Sequence, residues 1–149
     1  MQGMSASILV VEDDEQIRKL IEVSLIDADF HVTSVATGED AIEAFQKSKP
    51  TLIVLDIGLP GLDGFTTCQR LRLLTQMPIV MVTGRSGTID RVWGIEAGAD
   101  DYITKPFRPN EFVARVNSQL RRIEGRQDVY ISPDYTRCRQ LMTACAPPA

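Results

Sequence analysis

The sequence predicts an α/β protein in which a doubly wound parallel sheet carries helices on both of its faces. Five short apolar runs alternate with longer amphipathic stretches over most of the 149 residues. Two of the runs, LIVL (52–55) and IVMV (79–82), contain no polar residue, which is typical of central parallel strands covered on both faces. Because strand and helix patterns alternate, helices should connect the strands, and the common five-stranded arrangement is the flavodoxin-like order 2-1-3-4-5.

Each predicted strand is an apolar or β-branched run that is too short to be a typical helix. The runs are ILVV (8–11), FHVTSVA (30–36), LIVL (52–55), IVMVT (79–83) and YIT (102–104).

The five predicted helices are recognised by side chains at helical spacing. Asp14 and Thr37 precede the first two helices as predicted N-caps. Gly98 is the predicted C-cap of the fourth helix, and Pro109 stands near the first turn of the fifth. The stripes are Ile17, Leu20, Ile21 and Leu25; Ala41, Ala44 and Phe45; Phe65, Cys68, Leu71 and Arg72; Ile89, Val92, Trp93, Glu96 and Ala97; and Phe112, Val113, Val116, Leu120 and Ile123.

Bulk properties argue against several classes of protein. The net charge of −4 is unlike that of a nucleic-acid-binding module, which usually has a basic face. Cys68, Cys138 and Cys145 are an odd number without metal-ligand spacing, so we expect free thiols in a reducing cytosol. No apolar run approaches the roughly 18 residues of a membrane span, and the opening MQGMSAS lacks the features of a signal peptide. We therefore expect a cytoplasmic protein.

The alternating pattern predicts one domain over residues 7–124. Residues 125–149 carry no helical stripe and end in APPA. Because this stretch is too short for a second domain, we interpret it as a linker or tail, or as the start of a missing output domain.

Polar side chains stand at the carboxyl ends of four predicted strands. Glu12 and Asp13 follow the first strand, and Asp56 ends the third. Thr83 ends the fourth strand, and Lys105 follows the fifth. Because such strand ends meet at one edge of a parallel sheet, beside the switch point between strands 1 and 3, we expect these side chains to lie close together.

The chemistry of this set favours a metal ion and a phosphoryl group. Crowded carboxylates repel one another unless a proton or a cation offsets their charge. Oxygen ligands suit Mg²⁺, with Mn²⁺ as the alternative. The remaining charge favours one phosphoryl group, held by the metal, Lys105 and Thr83. An ionised aspartate is an acceptor for covalent phosphate, and the central Asp56 is the candidate.

Each of these residues also has an ordinary explanation when it is considered alone. An acidic residue after a strand often caps a helix, a threonine favours strands, and a lysine there is usually solvated or weakly paired. Because these residues all occur at the carboxyl ends of four strands, a shared functional site explains them better than separate ordinary roles do. Asp14 and Glu15 are instead assigned to the first helix, as its N-cap and its first-turn acid.

Four motifs in this order resemble the receiver domain of bacterial two-component response regulators. They are VVEDDE, LIVLDIGLPGLDG, IVMVTGR and GADDYITKPF, and the similarity extends from Ser7 to Ile123. The most similar receivers are those of the OmpR/PhoB type, which carry a winged-helix DNA-binding domain. The resemblance implies a phosphoacceptor signalling domain rather than an enzyme, with a sensor histidine kinase as its partner.

The resemblance also implies roles for the acidic residues. Asp56 would be the phosphoacceptor. Asp13 would bind Mg²⁺ directly and Glu12 would assist through water, while Asp56 and the backbone carbonyl of Gly58 would complete the protein ligands.

Further roles follow for the residues of the fourth and fifth strands. Lys105 would pair with Asp56 and then with the phosphoryl group, and its peptide bond to Pro106 would be cis. Thr83 would move toward the phosphoryl group, and Tyr102 would turn inward as a rotameric switch.

The readout surface implied by the resemblance consists of the fourth helix, the fifth strand and the fifth helix. Phosphorylation would make this surface dimerise and would control transcription through the missing output domain, with no direct DNA or membrane binding by this chain. The alternative is a stand-alone receiver that acts by protein–protein interaction, and the ordinary explanation of the charges is a solvated surface where such pairs contribute little. The candidate pairs between copies are Arg91 with Glu111, Asp101 with Arg115, and Asp100 with Arg121 or Arg122.

Three other classes fit the sequence less well. A phosphatase of the haloacid-dehalogenase type needs a second aspartate two residues after the nucleophile, where this chain has Gly58. A flavodoxin-like cofactor binder needs a phosphate cradle after strand 1, where EDDE would repel an anion. A pseudo-receiver would lack one of the acids, the threonine or the lysine, and none is missing. Gly58 and Arg85, at positions that vary in the family, leave the phosphoryl lifetime open.

Overall fold

The computed structural model describes residues 6–84 and 96–127, with side chains as far as residue 123. Most of the predicted fourth helix, with Arg85 and Arg91, lies outside this part of the chain, as do Cys138 and Cys145. The described elements are β1 (Ser7–Val11), α1 (Glu15–Asp27), β2 (His31–Val35), α2 (Gly38–Ser48), β3 (Leu52–Asp56), α3 (Gly64–Leu74), β4 (Ile79–Thr83), β5 (Asp101–Thr104) and a last helix (Pro109–Gln127).

The strands form one parallel five-stranded sheet in the order β2-β1-β3-β4-β5, which confirms the predicted topology. Val11 pairs with Leu55, and Asp56 pairs with Val82 on the neighbouring strand. One residue further along, Thr83 pairs with Thr104 of β5. This register brings the carboxyl ends of the four strands that carry the candidate residues to the same edge of the sheet.

Alternate residues of the central strands pack into two separate apolar layers. Leu9 and Val11 belong to the layer that includes α2 and α3, whereas Ile8 and Val10 belong to the layer that includes α1 and the last helix. All four side chains are fully buried. Each such burial stabilises the fold by about 1.5–3 kcal/mol, so the sheet is a rigid platform for its polar edge.

The helix ends follow the sequence signals. The Asp14 side chain accepts hydrogen bonds from the backbone N–H groups of Gln16 and Ile17, and Thr37 accepts one from Asp40. The last helix begins at Pro109 and continues through residues 125–127, which the sequence assigned to the tail. None of the helices in residues 6–84 and 96–127 is long and apolar enough to cross a membrane.

The prediction that Leu20 lies on the buried face of α1 is wrong. Ile21 and Leu25 are fully buried, but Leu20 is 43% exposed. At 3.6 residues per turn, Leu20 lies about 120° around the helix from the midpoint between Ile21 and Leu25. The buried face of α1 is therefore narrower than the spacing of its apolar residues indicates.

Cys68 is the one cysteine within the described residues, and it is a buried thiol of the core. Burial raises the pKa of this thiol to about 12, so it is protonated and unreactive at neutral pH.

Candidate functional site

The sheet edge brings together the three acidic side chains that the sequence singled out. Glu12 directly follows β1, and its backbone N–H donates to the carbonyl of Val35 in β2 at 3.1 Å, so the sheet fixes its position. One carboxylate oxygen from each of Glu12, Asp13 and Asp56 lies within 4.8 Å of the other two. Glu12 and Asp56 are buried while Asp13 is exposed, so the cluster opens to solvent on the side of Asp13.

Lys105 lies between two of these acids. Its backbone N–H donates to the carbonyl of Thr83 at 2.6 Å, which anchors the residue beyond the end of β5. Its Nζ atom is 2.8 Å from Glu12 Oε1 and 3.4 Å from Asp56 Oδ1. The sequence predicted contact with Asp56 but not the shorter contact with Glu12. The Lys105–Pro106 peptide bond that follows is cis.

Glu12 is a buried acid whose negative charge is only partly compensated. Its side chain is 1% exposed, and among the described residues its Oε1 atom has an ion-pair contact with Lys105 but no hydrogen bond of acceptable angle. Its Oε2 atom accepts the Asp14 backbone N–H at 3.2 Å. Burial raises the pKa of Glu12 to about 7, with a further rise from the charge of Asp56 and an opposing effect of Lys105.

The proton on Lys105 is held firmly by the same neighbours. Burial by itself favours loss of this proton, but the close contact with Glu12 and the negative charges of Asp56 and Glu12 outweigh it and raise the pKa of Lys105. The lysine is therefore a permanent cation at neutral pH, and it supplies one positive charge against three neighbouring carboxyl groups.

The residues present fit a hard divalent cation. One oxygen atom from each of three carboxyl groups lies within 4.8 Å of the other two, and one buried carboxylate oxygen lacks a hydrogen bond among the described residues. All of the donors are oxygen atoms, which suits Mg²⁺ better than softer metals. The backbone at exposed Gly58 adjoins them, since a Cβ atom built there would lie 3.8 Å from Asp56 Oδ2. The role of the Gly58 carbonyl as a ligand stays a prediction.

The first residue of α3, Gly64, packs closely against the backbone of Asp56 and Ile57. The sequence did not predict this contact. The Gly64 N–H donates to the carbonyl of Ile57 at 3.0 Å. A Cβ atom at Gly64 would lie 2.3 Å from the backbone oxygen of Asp56 and 2.5 Å from Ile57 Cα. Only glycine permits this approach. The glycines of the GLPGLDG segment were the available signal, but spacing alone does not tell which of them touches the strand end.

Thr83 and Tyr102 lie in the adjacent strands β4 and β5, and Thr83 stands at the carboxyl end of its strand. Thr83 is the last residue of β4 and is 1% exposed. Tyr102 is 7% exposed and packs in the core layer that includes Met81, so its ring faces inward in this structure.

The charges of the predicted dimer surface make contacts within the chain. Arg115 Nη1 lies 2.9 Å from Asp101 Oδ1, and Arg115 Nε lies 3.9 Å from Glu111 Oε1. Arg91 lies outside the described residues. The pairings of these side chains between two copies remain predictions.

Asp100 and Arg122 also have neighbours that the sequence did not indicate. Asp100 Oδ2 lies 2.7 Å from Arg72 Nη2, at the end of α3. Arg122 Nη1 donates to Gln119 Oε1 at 3.2 Å.

Known proteins resemble this chain over most of its length. A family model described as the response regulator receiver domain matches residues 8–117. The chain is 46% identical over 117 residues to the probable transcriptional regulator ycf27 of Porphyridium aerugineum, covering 78% of this chain and 49% of that protein. It is 42% identical over 124 residues to the DNA-binding response regulator MtrA of Mycolicibacterium smegmatis, covering 83% and 54% respectively. The chain thus spans about half the length of the curated relatives it matches.

Solved structures show the same likeness. The BeF3-activated N-terminal receiver domain of Klebsiella pneumoniae RstA is 39% identical with a TM-score of 0.75, over 77% of this chain and 98% of that one. A CheY-like response regulator receiver domain protein from Methanospirillum hungatei is 28% identical with a TM-score of 0.79, over 82% and 98%.

The contact of α3 with the end of β3 predicts that Gly64→Ala destabilises the chain by about 1–3 kcal/mol, because the new methyl group collides with backbone atoms. Gly84→Ala is the matched control, since a Cβ atom there has nothing within 4 Å. Urea denaturation of both variants measures the difference. Equal free energies of unfolding would show that the loop shifts without cost.

The raised pKa of Glu12 predicts an unusual pH dependence of stability in metal-free buffer containing EDTA. The folded state holds this proton more tightly than the unfolded state, so the stabilising contribution is present below about pH 4.5 and is lost as the pH rises through about 7. The free energy of unfolding of the wild type, relative to Glu12→Gln, should therefore decrease over this interval. Urea titrations at several pH values measure it, and parallel profiles would contradict the assignment.

Proposed function

This chain belongs to the response regulator receiver domain family, and we propose that Asp56 accepts a phosphoryl group from a histidine of a sensor kinase in a Mg²⁺-dependent reaction. A receiver domain is a phosphoacceptor signalling domain and not an enzyme. The observation that carries the proposal is the convergence of Glu12, Asp13 and Asp56 around one point, with Lys105 in contact with two of them.

The acidic residues would hold the metal ion. Asp13 would bind it directly, with Asp56 and the Gly58 carbonyl, and Glu12 would assist through water. When bound, Mg²⁺ supplies positive charge that offsets the charge of the transferred phosphoryl oxygens.

Asp56 would perform the transfer as a nucleophile. One of its carboxylate oxygens forms a bond to phosphorus while the phosphorus–nitrogen bond to the kinase histidine breaks, and the bonding electrons leave with the imidazole nitrogen. The Gly64 contact holds the backbone of Asp56 so that the carboxylate keeps its orientation. Lys105, which stays protonated, would move its contact from Glu12 and Asp56 to the new phosphoryl oxygens.

The response to phosphorylation would pass through Thr83 and Tyr102. The phosphoryl group adds negative charge and strong acceptor oxygens, so the Thr83 hydroxyl would turn toward it and donate a hydrogen bond. Tyr102, in the adjacent strand, would then be held inward, and this pair would bias the surface formed by the predicted fourth helix, β5 and the last helix. Homodimerisation through that surface would use Asp101 and Arg115.

The output of the switch would be control of transcription in the cytoplasm. Relatives bear the descriptions of transcriptional regulator and DNA-binding response regulator, and this chain spans about half of their length. The receiver unit would comprise residues 7–124, and DNA would be bound by a separate output domain rather than by this chain. A stand-alone receiver that acts through protein–protein contacts is the second candidate, and the net charge of −4 is compatible with both candidates because neither requires this chain to bind DNA.

Incubation with phosphoramidate and Mg²⁺ should add one phosphoryl group, detected by intact mass spectrometry. Asp56→Asn should abolish the addition because the acceptor carboxylate is lost, and EDTA should suppress it in the wild type. Asp14→Asn is the matched control, because Asp14 is an exposed acid beside the cluster and asparagine caps α1 equally well. A folded wild type that gains no phosphoryl group, or an Asp56→Asn variant that still gains one, would overturn the proposal.

Dimerisation should follow saturation with beryllofluoride and Mg²⁺, measured by light scattering over a range of concentrations. Arg115→Ala should weaken the dimer at least tenfold, since Arg115 is the proposed partner of Asp101 on the second copy and the substitution also removes its contacts with Asp101 and Glu111 within the chain. Lys19→Ala on exposed α1 surface is the control and should leave the dimer unchanged. An unchanged dissociation constant for Arg115→Ala would remove Arg115 from the interface.

A further inference from the structure

Arg72 fastens the end of α3 to the segment that precedes β5. Its side chain is 14% exposed, which is unusual for an arginine on a helix surface. Its Nε and Nη2 atoms donate to the carbonyl of Gly98 at 3.1 and 2.6 Å. Its Nη1 atom donates to the carbonyls of Met77 at 2.8 Å and Thr75 at 3.4 Å. One planar guanidinium group therefore joins two segments that are distant in sequence.

The backbone at Gly98 is shaped to receive this side chain. Gly98 has a φ of 112°, and a Cβ atom there would lie 3.1 Å from Arg72 Cγ and 3.2 Å from its Nε atom. A side chain at this position would thus push the guanidinium away from the carbonyl it binds. Cys68, one turn earlier on α3, donates its thiol to the carbonyl of Ala97 at 3.5 Å, so the same helix face holds two successive residues of the segment.

Asp100 is the acidic end of the network. Its Oδ2 atom accepts from Arg72 Nη2 at 2.7 Å and from the backbone N–H of Ile79 at 2.9 Å. Its own backbone N–H donates to the carbonyl of Ile79 at 2.8 Å. Asp100 is thereby tied to the first residue of β4 through both its backbone and its side chain. The next residue, Asp101, begins β5 and holds Arg115.

The network lies outside the chemistry of phosphoryl transfer but next to the predicted dimer surface. Arg72 makes no contact with the acidic cluster among the contacts of the described residues, whereas it holds the two residues, Gly98 and Asp100, that lead into β5. The other end of α3 touches the backbone of Asp56 through Gly64. The helix therefore abuts the phosphoacceptor at its first residue and the start of β5 near its last.

From this arrangement we propose that Arg72 is a positioning residue for dimerisation: it holds Asp100 and the start of β5 in the arrangement that the phosphorylated homodimer requires. The inference rests on the proposed function, since it concerns the surface through which that function would be read out. Arg72 acts through Asp100 and does not itself bind metal or phosphoryl. A lysine cannot replace it, because an ammonium group lacks the planar fork that serves several acceptors at once.

The test compares Arg72→Met and Arg72→Lys with Arg70→Met, which removes an exposed arginine from the same helix. Amide hydrogen exchange of Ile79 and Asp100, measured by NMR on the unphosphorylated chain, reports the network directly. Both Arg72 variants should exchange these amides at least tenfold faster than the wild type. Phosphorylation by phosphoramidate should reach the same yield in all of the proteins.

Sedimentation velocity with beryllofluoride and Mg²⁺ then gives the dimer dissociation constant. We expect it to rise at least tenfold in Arg72→Met and nearly as much in Arg72→Lys, and to stay unchanged in Arg70→Met. In an Asp100→Ala background, Arg72→Met should change it less than about twofold, because its effect passes through Asp100. Should Arg72→Met fail to fold, Arg72→Lys and Asp100→Asn provide the same comparison.

The outcomes separate this inference from the function on which it rests. A wild type that takes up phosphoryl yet stays monomeric would refute the dimerisation step and the inference together. A wild type that dimerises, with Arg72 variants that dimerise equally well, would refute the inference alone. Full rescue by Arg72→Lys would show that charge rather than position is what Arg72 supplies, and this also contradicts the proposal.

Discussion

The confinement of carboxylates at one edge of the sheet is the constraint on which the rest of the site depends. Glu12 and Asp56 are both buried there, and Lys105 is the cation that contacts them. A buried carboxylate without full compensation is costly, which is why the pKa of Glu12 rises to about 7. The folded chain therefore keeps incompletely compensated negative charge at this edge, which a divalent cation would offset.

The free-energy cost of burying these carboxylates is offset by the apolar packing of the sheet and α3. The central strands are buried on both faces, so their register cannot slip without exposing a whole apolar layer. Gly64 closes the loop after Asp56 by direct backbone contact. The strain at the acidic edge is thus supported by apolar packing elsewhere, as is common at functional sites.

Helix α3 contacts the acidic edge of the sheet at its first residue and the segment before β5 near its last residue. It begins against the strand end that carries Asp56, and nearer its other end Cys68 and Arg72 contact the residues before β5. The interactions at its two ends are of different kinds. At the first residue, Gly64 makes a close backbone approach that only glycine allows. Near the last residue, the planar guanidinium of Arg72 donates several hydrogen bonds at once, which a lysine could not do. Neither of these interactions uses the side chains of the acidic cluster.

The sequence was sufficient to predict the sheet order, the strand limits to within a residue or two, the caps at Asp14 and Thr37, and the edge of the sheet where the acidic residues lie. These features follow from local periodicity and from the rule that parallel strands end on the same side. The partners of the long side chains could be identified from the three-dimensional structure but not from the sequence. A lysine or arginine side chain is long enough to contact any of several charged groups, and sequence spacing does not show which one it contacts. The tertiary structure paired Lys105 with Glu12 as well as Asp56, and within the chain it placed Asp100 against Arg72. The pairing of Asp100 with the last helix of a second copy stays a prediction. The tertiary structure also left Leu20 exposed, since the width of a buried helix face depends on the neighbours that cover it.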